Sequence, residues 1–203
     1  LEAHVLSTFY NNKITFPHLS LLVTGGHTQI YQLNNLTEIV LEGETIDDAV
    51  GEAFDKVAKI LGLNYPGGEE LERRALKGNE DKFVLPQPLV NENNLDFSFS
   101  GLKTSINIIA KKNKINEEFV NDMSASFQKC ISLILETKLD KAIKMLSTSK
   151  KNFLELSMVG GVANNKYIRS KLIKVCEKNK INLVLPINKM ISDNAAMITW
   201  ACI

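Results

Sequence analysis

Apolar residues recur at helical spacing through Val50, Ala53, Phe54, Val57, Ala58 and Leu61, which predicts a helix within the stretch Gly43–Gly68. Asp47 and Asp48 stand where its N-cap and first turn favour carboxylates. Gly62 can close it in the left-handed conformation, and Pro66-Gly67-Gly68 stops it from resuming. Its other face carries Asp48, Glu52, Asp55 and Lys59 and reads as a solvated surface. Before it, Leu1, Val5, Leu6 and Phe9 mark the end of a helix. Phe16–Leu33 reads as two strands around a tight turn, the first of them, Leu19–Val23, apolar enough to be buried on both faces. Glu38–Leu41 is a third strand.

After it, Glu69–Lys77 is a second helix and Gly78–Asn94, with Pro86 and Pro88, a loop. In Leu95–Thr104, Phe97 and Phe99 alternate with Ser98 and Ser100, a strand-like spacing. Asn116–Ser147 is mostly one long helix, with Phe119, Met123, Phe127, Ile131, Ile134 and Leu135 as its buried stripe. Phe153–Val159 is a strand, followed by Gly160-Gly161 and a basic helix to about Asn179. Asn182–Leu185 is another strand. Ala195–Ile203 forms a last helix, for which Ser192 or Asp193 can serve as N-cap.

Composition narrows the class. The chain has 203 residues, enough for one large domain or two small lobes, with an ordinary apolar share of 44%. The net charge is +1, but Glu38–Asp55 is acidic while Lys166–Lys180 holds six basic side chains against Glu177. That basic helix can attract nucleic-acid phosphates or form a plain solvated face. Three widely spaced cysteines without a CxxC suggest neither a disulfide framework nor a thiolate zinc site. No apolar run approaches the roughly 20 residues of a membrane span.

Two segments carry candidate chemistry. Thr24-Gly25-Gly26-His27-Thr28 reads equally as a hairpin turn and as a phosphate cradle, with glycine N–H groups and two hydroxyls available. The strand, glycine pair and helix around Gly160-Gly161 form a frequent nucleotide-binding arrangement. Gly101-Leu102-Lys103-Thr104 fails as a Walker A loop because the glycine–lysine spacing is wrong, and no HExxH is present.

The segments LLVTGGHTQ, GETIDDAVGEAFDKVAK, NYPGG, FSFSGLKT, GGVANN and SDNAAM occur in an order that resembles one family. These are the tRNA adenosine threonylcarbamoyltransferases, once described as O-sialoglycoprotein endopeptidases. The resemblance covers essentially the whole chain. It implies an α/β, actin-like and sugar-kinase-like ATPase fold of two lobes. Residues 1–18 would be the remnant of the first lobe, and 19–203 the second α/β lobe with a mostly helical insertion at about 66–150.

It also implies transfer of a threonylcarbamoyl group from threonylcarbamoyl-AMP to the exocyclic amine of the adenosine next to the anticodon in tRNA. The implied substrate contacts are Leu22, Val23, Thr24, Gly25, Gly26, Asp55, Gly68 and Asn165. The implied metal ligands are His4 and Asp193, for Fe2+ or, second, Zn2+; a further histidine would stand four residues before His4. The family's acidic loop has no counterpart here, so no catalytic residue is assigned, and weak metal binding and slow transfer or none are expected of this chain alone. Implied partners are tRNA, a paralogous actin-like subunit and a small ATPase subunit; the expected location is the cytoplasm, with mitochondrion or plastid as the alternative. Other readings are an ATP-dependent kinase or ATPase of the same fold, or an inactive truncated homologue acting as a scaffold.

Overall fold

A computed structural model of the chain describes residues 1–147, 152–191 and 194–202. A five-stranded sheet lies at its centre, built from β1 (His18–Val23), β2 (Thr28–Leu33), β3 (Ile39–Glu44), β4 (Glu155–Val159) and β5 (Asn182–Val184). The strand order is β3-β2-β1-β4-β5. The first three strands form an antiparallel meander, whereas β4 and β5 join parallel, with Ser20 opposite Ser157.

Central β1 is buried along its whole length, as its apolar run predicts. Leu19, Leu21 and Val23 join the main core with Phe54 and Val57 of α2 (Val50–Ile60) and Met123 and Ile131 of α5 (Glu117–Leu146). By the period of two, His18, Ser20 and Leu22 take the opposite face. There α1 (Glu2–Leu6) packs against β1 and β4, and α7 (Ala195–Ala201) packs against α1. His18 Nε2 lies 2.9 Å from Ser157 Oγ, whose hydroxyl donates to Ser20 Oγ at 2.8 Å. This polar chain crosses the β1–β4 seam without reaching solvent, all three side chains being fully buried.

The predicted cap of α2 is corrected. Helix α2 begins at Val50, whose N–H donates to Thr28 Oγ1 at 2.9 Å. Asp47 serves another helix: its carboxylate accepts from Phe99 N (2.8 Å), Ser100 N (3.2 Å) and the hydroxyls of Ser98 and Ser100. Those bonds hold the Asp47 carboxyl below its usual range against the opposing cost of burial. They also explain why the strand-like spacing of Leu95–Thr104 yields no strand. Phe97 makes one bridge to Thr45, and the donors collected by Asp47 then start α4 (Ser100–Lys112). Asp48 forms an ion pair with Lys56. At the far end, Gly62 adopts φ +71, as expected of a helix-closing glycine. Helix α3 (Gly67–Ala75) starts directly at the Pro-Gly-Gly turn.

Helix α5 matches its prediction closely, with Asn116 as cap accepting from Phe119 N at 2.9 Å. Its buried polar residues hold the 78–94 loop. Asn79 N donates to Asp122 Oδ1 (2.7 Å), Phe83 N donates to Ser126 Oγ (3.1 Å), and Lys138 Nζ donates to the Asn94 carbonyl (3.0 Å). Burial lowers the pKa of Lys138. Helix α6 (Lys166–Lys178) packs on α5 and β5. No helix among the described residues is long and apolar enough to cross a membrane.

Burial pushes the Cys130 thiol up to about 12, and burial reinforced by Glu177 does the same for Cys176, while Cys202 is exposed. Since the thiolate is the reactive form, one thiol is expected to react rapidly with a disulfide reagent in the native chain and all three after denaturation. Rapid titration of two or more native thiols would contradict this packing.

Candidate functional site

Residues of α2, α3, α5 and α6 surround a cleft of about 930 Å³ beside the β1–β2 turn. Asp55, on the second turn of α2, lines it with one carboxylate oxygen committed: Oδ1 accepts from Gly67 N at 2.7 Å. This bond caps α3 and fixes the Pro-Gly-Gly turn against α2. The two glycines of that turn then differ. A Cβ on Gly67 would lie 2.4 Å from Ala58 Cβ, so close packing requires its glycine; a Cβ on Gly68 would meet nothing within 4 Å. Gly68 therefore presents bare backbone to the cleft it lines.

Opposite, Asn165 caps α6, its Oδ1 accepting from Ile168 N at 2.9 Å, while its Nδ2 donates to Gln128 Oε1 at 2.8 Å. Glu72 Oε1 accepts from Lys166 N at 2.7 Å and so joins α3 to α6. Two helix N-termini thus converge on the cleft, and each already holds a carboxylate of the protein. Tyr167, also lining the cleft, donates its hydroxyl to Glu80 Oε2 at 2.7 Å; burial first, then Glu80, raise its phenol pKa.

The β1–β2 turn is internally bonded. Thr24 Oγ1 accepts from Gly26 N (3.2 Å) and His27 N (2.9 Å), so of the glycine N–H groups expected to face a phosphate that of Gly26 is taken by the turn itself. Gly25 lines the cleft and also a second cavity of about 710 Å³, shared with His4, Thr24, Gly26, His27 and Asn194. Leu22 and Val23 line neither cavity; they are fully buried strand residues. The structure therefore brings Gly25, Asp55, Gly68 and Asn165 around one cleft, and Thr24, Gly26 and His4 around the adjoining one.

His4 is buried on α1, and its imidazole is a suitable metal donor. Asp193 and Ser192 lie outside the described residues; Asn194 is the side chain that caps α7, accepting from Met197 N at 2.9 Å. Among the described residues no three histidine, cysteine or acidic side chains form a metal-binding group. Of the two implied ligands only His4 lies among the described residues, so a complete metal site is not described.

The sequence reading missed Gly51, Glu72 and Gln128. Gly51 packs the first turn of α2 onto the β1–β2 turn. Its N–H donates to Thr24 O at 3.2 Å, and a Cβ there would lie 2.7 Å from that oxygen and 2.8 Å from Gly25 Cα. A glycine inside a good helical pattern was the available signal, since such a residue is unfavourable unless packing demands it. Glu72 and Gln128 gave no local signal, being ordinary helix formers.

A family model described as tRNA N6-adenosine threonylcarbamoyltransferase, TsaD, matches residues 1–200. The chain belongs to this family. Among TsaD proteins, it is 41% identical over 204 residues to the one from Neorickettsia sennetsu, covering 100% of this chain and 60% of that protein. It is 45% identical to the one from Rhizobium leguminosarum bv. trifolii, covering 99% of this chain and 56% of that protein. The chain thus spans somewhat under two thirds of the length of these TsaD relatives. Among solved structures, HypF of T. kodakarensis superposes with a TM-score of 0.67 at 15% identity over 99% of this chain and 36% of its own. Component A of the Acidaminococcus fermentans (R)-2-hydroxyglutaryl-CoA dehydratase gives 0.51 at 15% identity over 100% of this chain and 68% of its own. At such identities the likeness shows the fold, which is the actin-like ATPase fold the motif order implied.

Proposed function

We propose that the cleft holds the adenosine half of threonylcarbamoyl-AMP. The chain would then be the nucleotide-holding part of an enzyme that passes the threonylcarbamoyl group to the exocyclic amine of an adenosine in tRNA. The observation that carries this reading is the convergence of Gly25, Asp55, Gly68 and Asn165, far apart in sequence, on one cleft in a chain of this family. Asp55 accepts a ribose hydroxyl with the oxygen not used by Gly67. Gly68 allows close approach. Gly25, common to both cavities, places the phosphate at their junction and the acyl end beside His4.

In the reaction the amine nitrogen attacks the carbamoyl carbon. The bond from that carbon to the phosphate oxygen breaks, AMP leaves with the electron pair, and the amine proton passes to solvent. Enclosure and orientation are what this chain contributes to that step. His4 with Asp193 would hold a metal ion, iron before zinc, and the chemistry such an ion supplies is Lewis-acid polarisation of a substrate oxygen. tRNA, a paralogous actin-like subunit and a small ATPase subunit complete the proposed assembly.

Incubation with threonylcarbamoyl-AMP, tRNA and those subunits should yield the modified nucleoside, detected by mass spectrometry of digested tRNA. ATP turnover independent of tRNA, without the modified nucleoside, would replace this reading with a kinase or ATPase. Asp55→Asn supplies the sharper test of the site. An asparagine oxygen still accepts from Gly67 N, so the melting temperature is expected to hold. AMP affinity should fall about tenfold to a hundredfold, as a charge-assisted hydrogen bond contributes about 1.5–3 kcal/mol. Unchanged affinity by calorimetry would remove Asp55 from the site. Asp55→Ala is less informative, because it also costs about 1 kcal/mol of helix capping.

A further inference from the structure

Gln128 sits on α5 at the floor of the cleft and is only 3% exposed. Its amide orientation is forced by a chain of hydrogen bonds that begins at the backbone. Ile168 N–H can only donate, so Asn165 must turn its oxygen toward it (2.9 Å). Asn165 then offers its NH2 to Gln128, which must answer with Oε1 (2.8 Å). The NH2 of Gln128 is thereby turned away from Asn165, and it has no hydrogen-bond partner among the described residues. Since Nε2 is not sealed from solvent, a ligand acceptor in the cavity that Gln128 lines takes the place of water there.

The surroundings limit what that acceptor is. The two helix N-termini facing the cleft, at Gly67 and Lys166, are occupied by Asp55 and Glu72. The lining carries Asp55, Glu69 and Glu72 against Arg73 and Lys166, an excess of negative charge beside two helix N-termini already taken, so a phosphate oxygen is a poor partner for Gln128. Ribose hydroxyls are matched by the acceptor Asp55. What remains on an adenosine is a ring nitrogen, which is neutral and only accepts. Resting on the nucleotide reading of the cleft, we infer that Gln128 is a specificity-determining residue that donates its amide N–H to an acceptor nitrogen of the adenine ring. Asn165 acts as the positioning residue that fixes its direction.

The test is a binding cycle on the purified chain with AMP and its 1-deaza, 3-deaza and 7-deaza analogues, using the wild-type protein and Gln128→Met. One deaza analogue is expected to bind the wild type about fivefold more weakly than AMP, and the same analogue and AMP should bind Gln128→Met equally. If Gln128→Met does not fold, Gln128→Glu serves in the same cycle, since it keeps the oxygen that Asn165 needs and removes the donor. AMP binding in which no deaza penalty changes with the substitution overturns the assignment of Gln128 and leaves the nucleotide site standing. Failure of the wild-type chain to bind AMP overturns the nucleotide reading, and the assignment falls with it.

Discussion

Gly160→Ala is expected to lower the unfolding free energy by about 3 kcal/mol or more, combining a strained backbone with overpacking. Gly160 directly follows β4 at φ +95, a conformation that residues other than glycine rarely adopt. An added Cβ would lie 2.4 Å from Val23 O and 2.7 Å from Thr24 Cγ2. Val23 is the fully buried last residue of β1, so its carbonyl cannot withdraw without breaking the sheet. Any relief must therefore move the β1–β2 turn on one side or the Gly161–Asn164 helical turn on the other, and both border the cleft. Urea titration should show a lower midpoint for Gly160→Ala. Gly161→Ala, whose Cβ would meet nothing within 4 Å, should remain near wild type. Equal midpoints for the two variants would show that the backbone at 160 is not constrained as described.

Acidification from pH 7 to 4 is expected to remove about 3 kcal/mol of stability through His18 alone. Burial lowers its pKa from 6.5 to about 4, and its Nδ1 has no hydrogen-bond partner among the described residues. The folded state thus holds His18 neutral down to about pH 4, whereas the unfolded chain binds a proton from about pH 6.5. The unfolded state gains protons first as pH falls, so stability is present above 6.5 and lost progressively toward 4. Carboxylates held low in the fold act further down the scale. Against the cost of burial, hydrogen bonds from Asn179, Lys144 and Lys178 keep Asp140 at about 2, so its loss comes below the His18 window. His18→Gln does not titrate and keeps an amide for Ser157; its stability should be flatter between pH 6.5 and 4. A wild-type profile equally flat there would refute the buried neutral imidazole.

What the sequence revealed and what it hid follow from the range of each interaction. The α5 start near Asn116, the Phe119–Leu135 stripe, the Gly62 closure and the β1–β2 hairpin are set by residues within a few positions of one another, and all were legible. Asp47 was misread because its carboxylate suits a local helix start, yet its partners Ser98–Ser100 lie some fifty residues on. Phe97 and Phe99 alternated like a strand because both are buried, and burial alone does not separate a strand from a packed turn. The cleft shows the same division. Gly68 and the Gly25–Gly26 turn stood out as glycines where backbone is bare, whereas Gln128 is a polar residue on a buried helix whose meaning depends on Asn165, 37 positions away.

The pairing of β1 with β4 has a consequence for how the molecule comes together. Ser20 and Ser157, which face each other across that seam, are 137 residues apart, while β1, β2 and β3 close through short local turns. Closure entropy is met before such distant contacts contribute, so the meander and the α2–α3 hairpin can form early and the β1–β4 zipper late. The Asp55 and Gly68 wall of the cleft belongs to the early part and the Asn165 wall to the late one. An intermediate with the first wall built still lacks the second, so the cleft is completed only when the parallel seam closes.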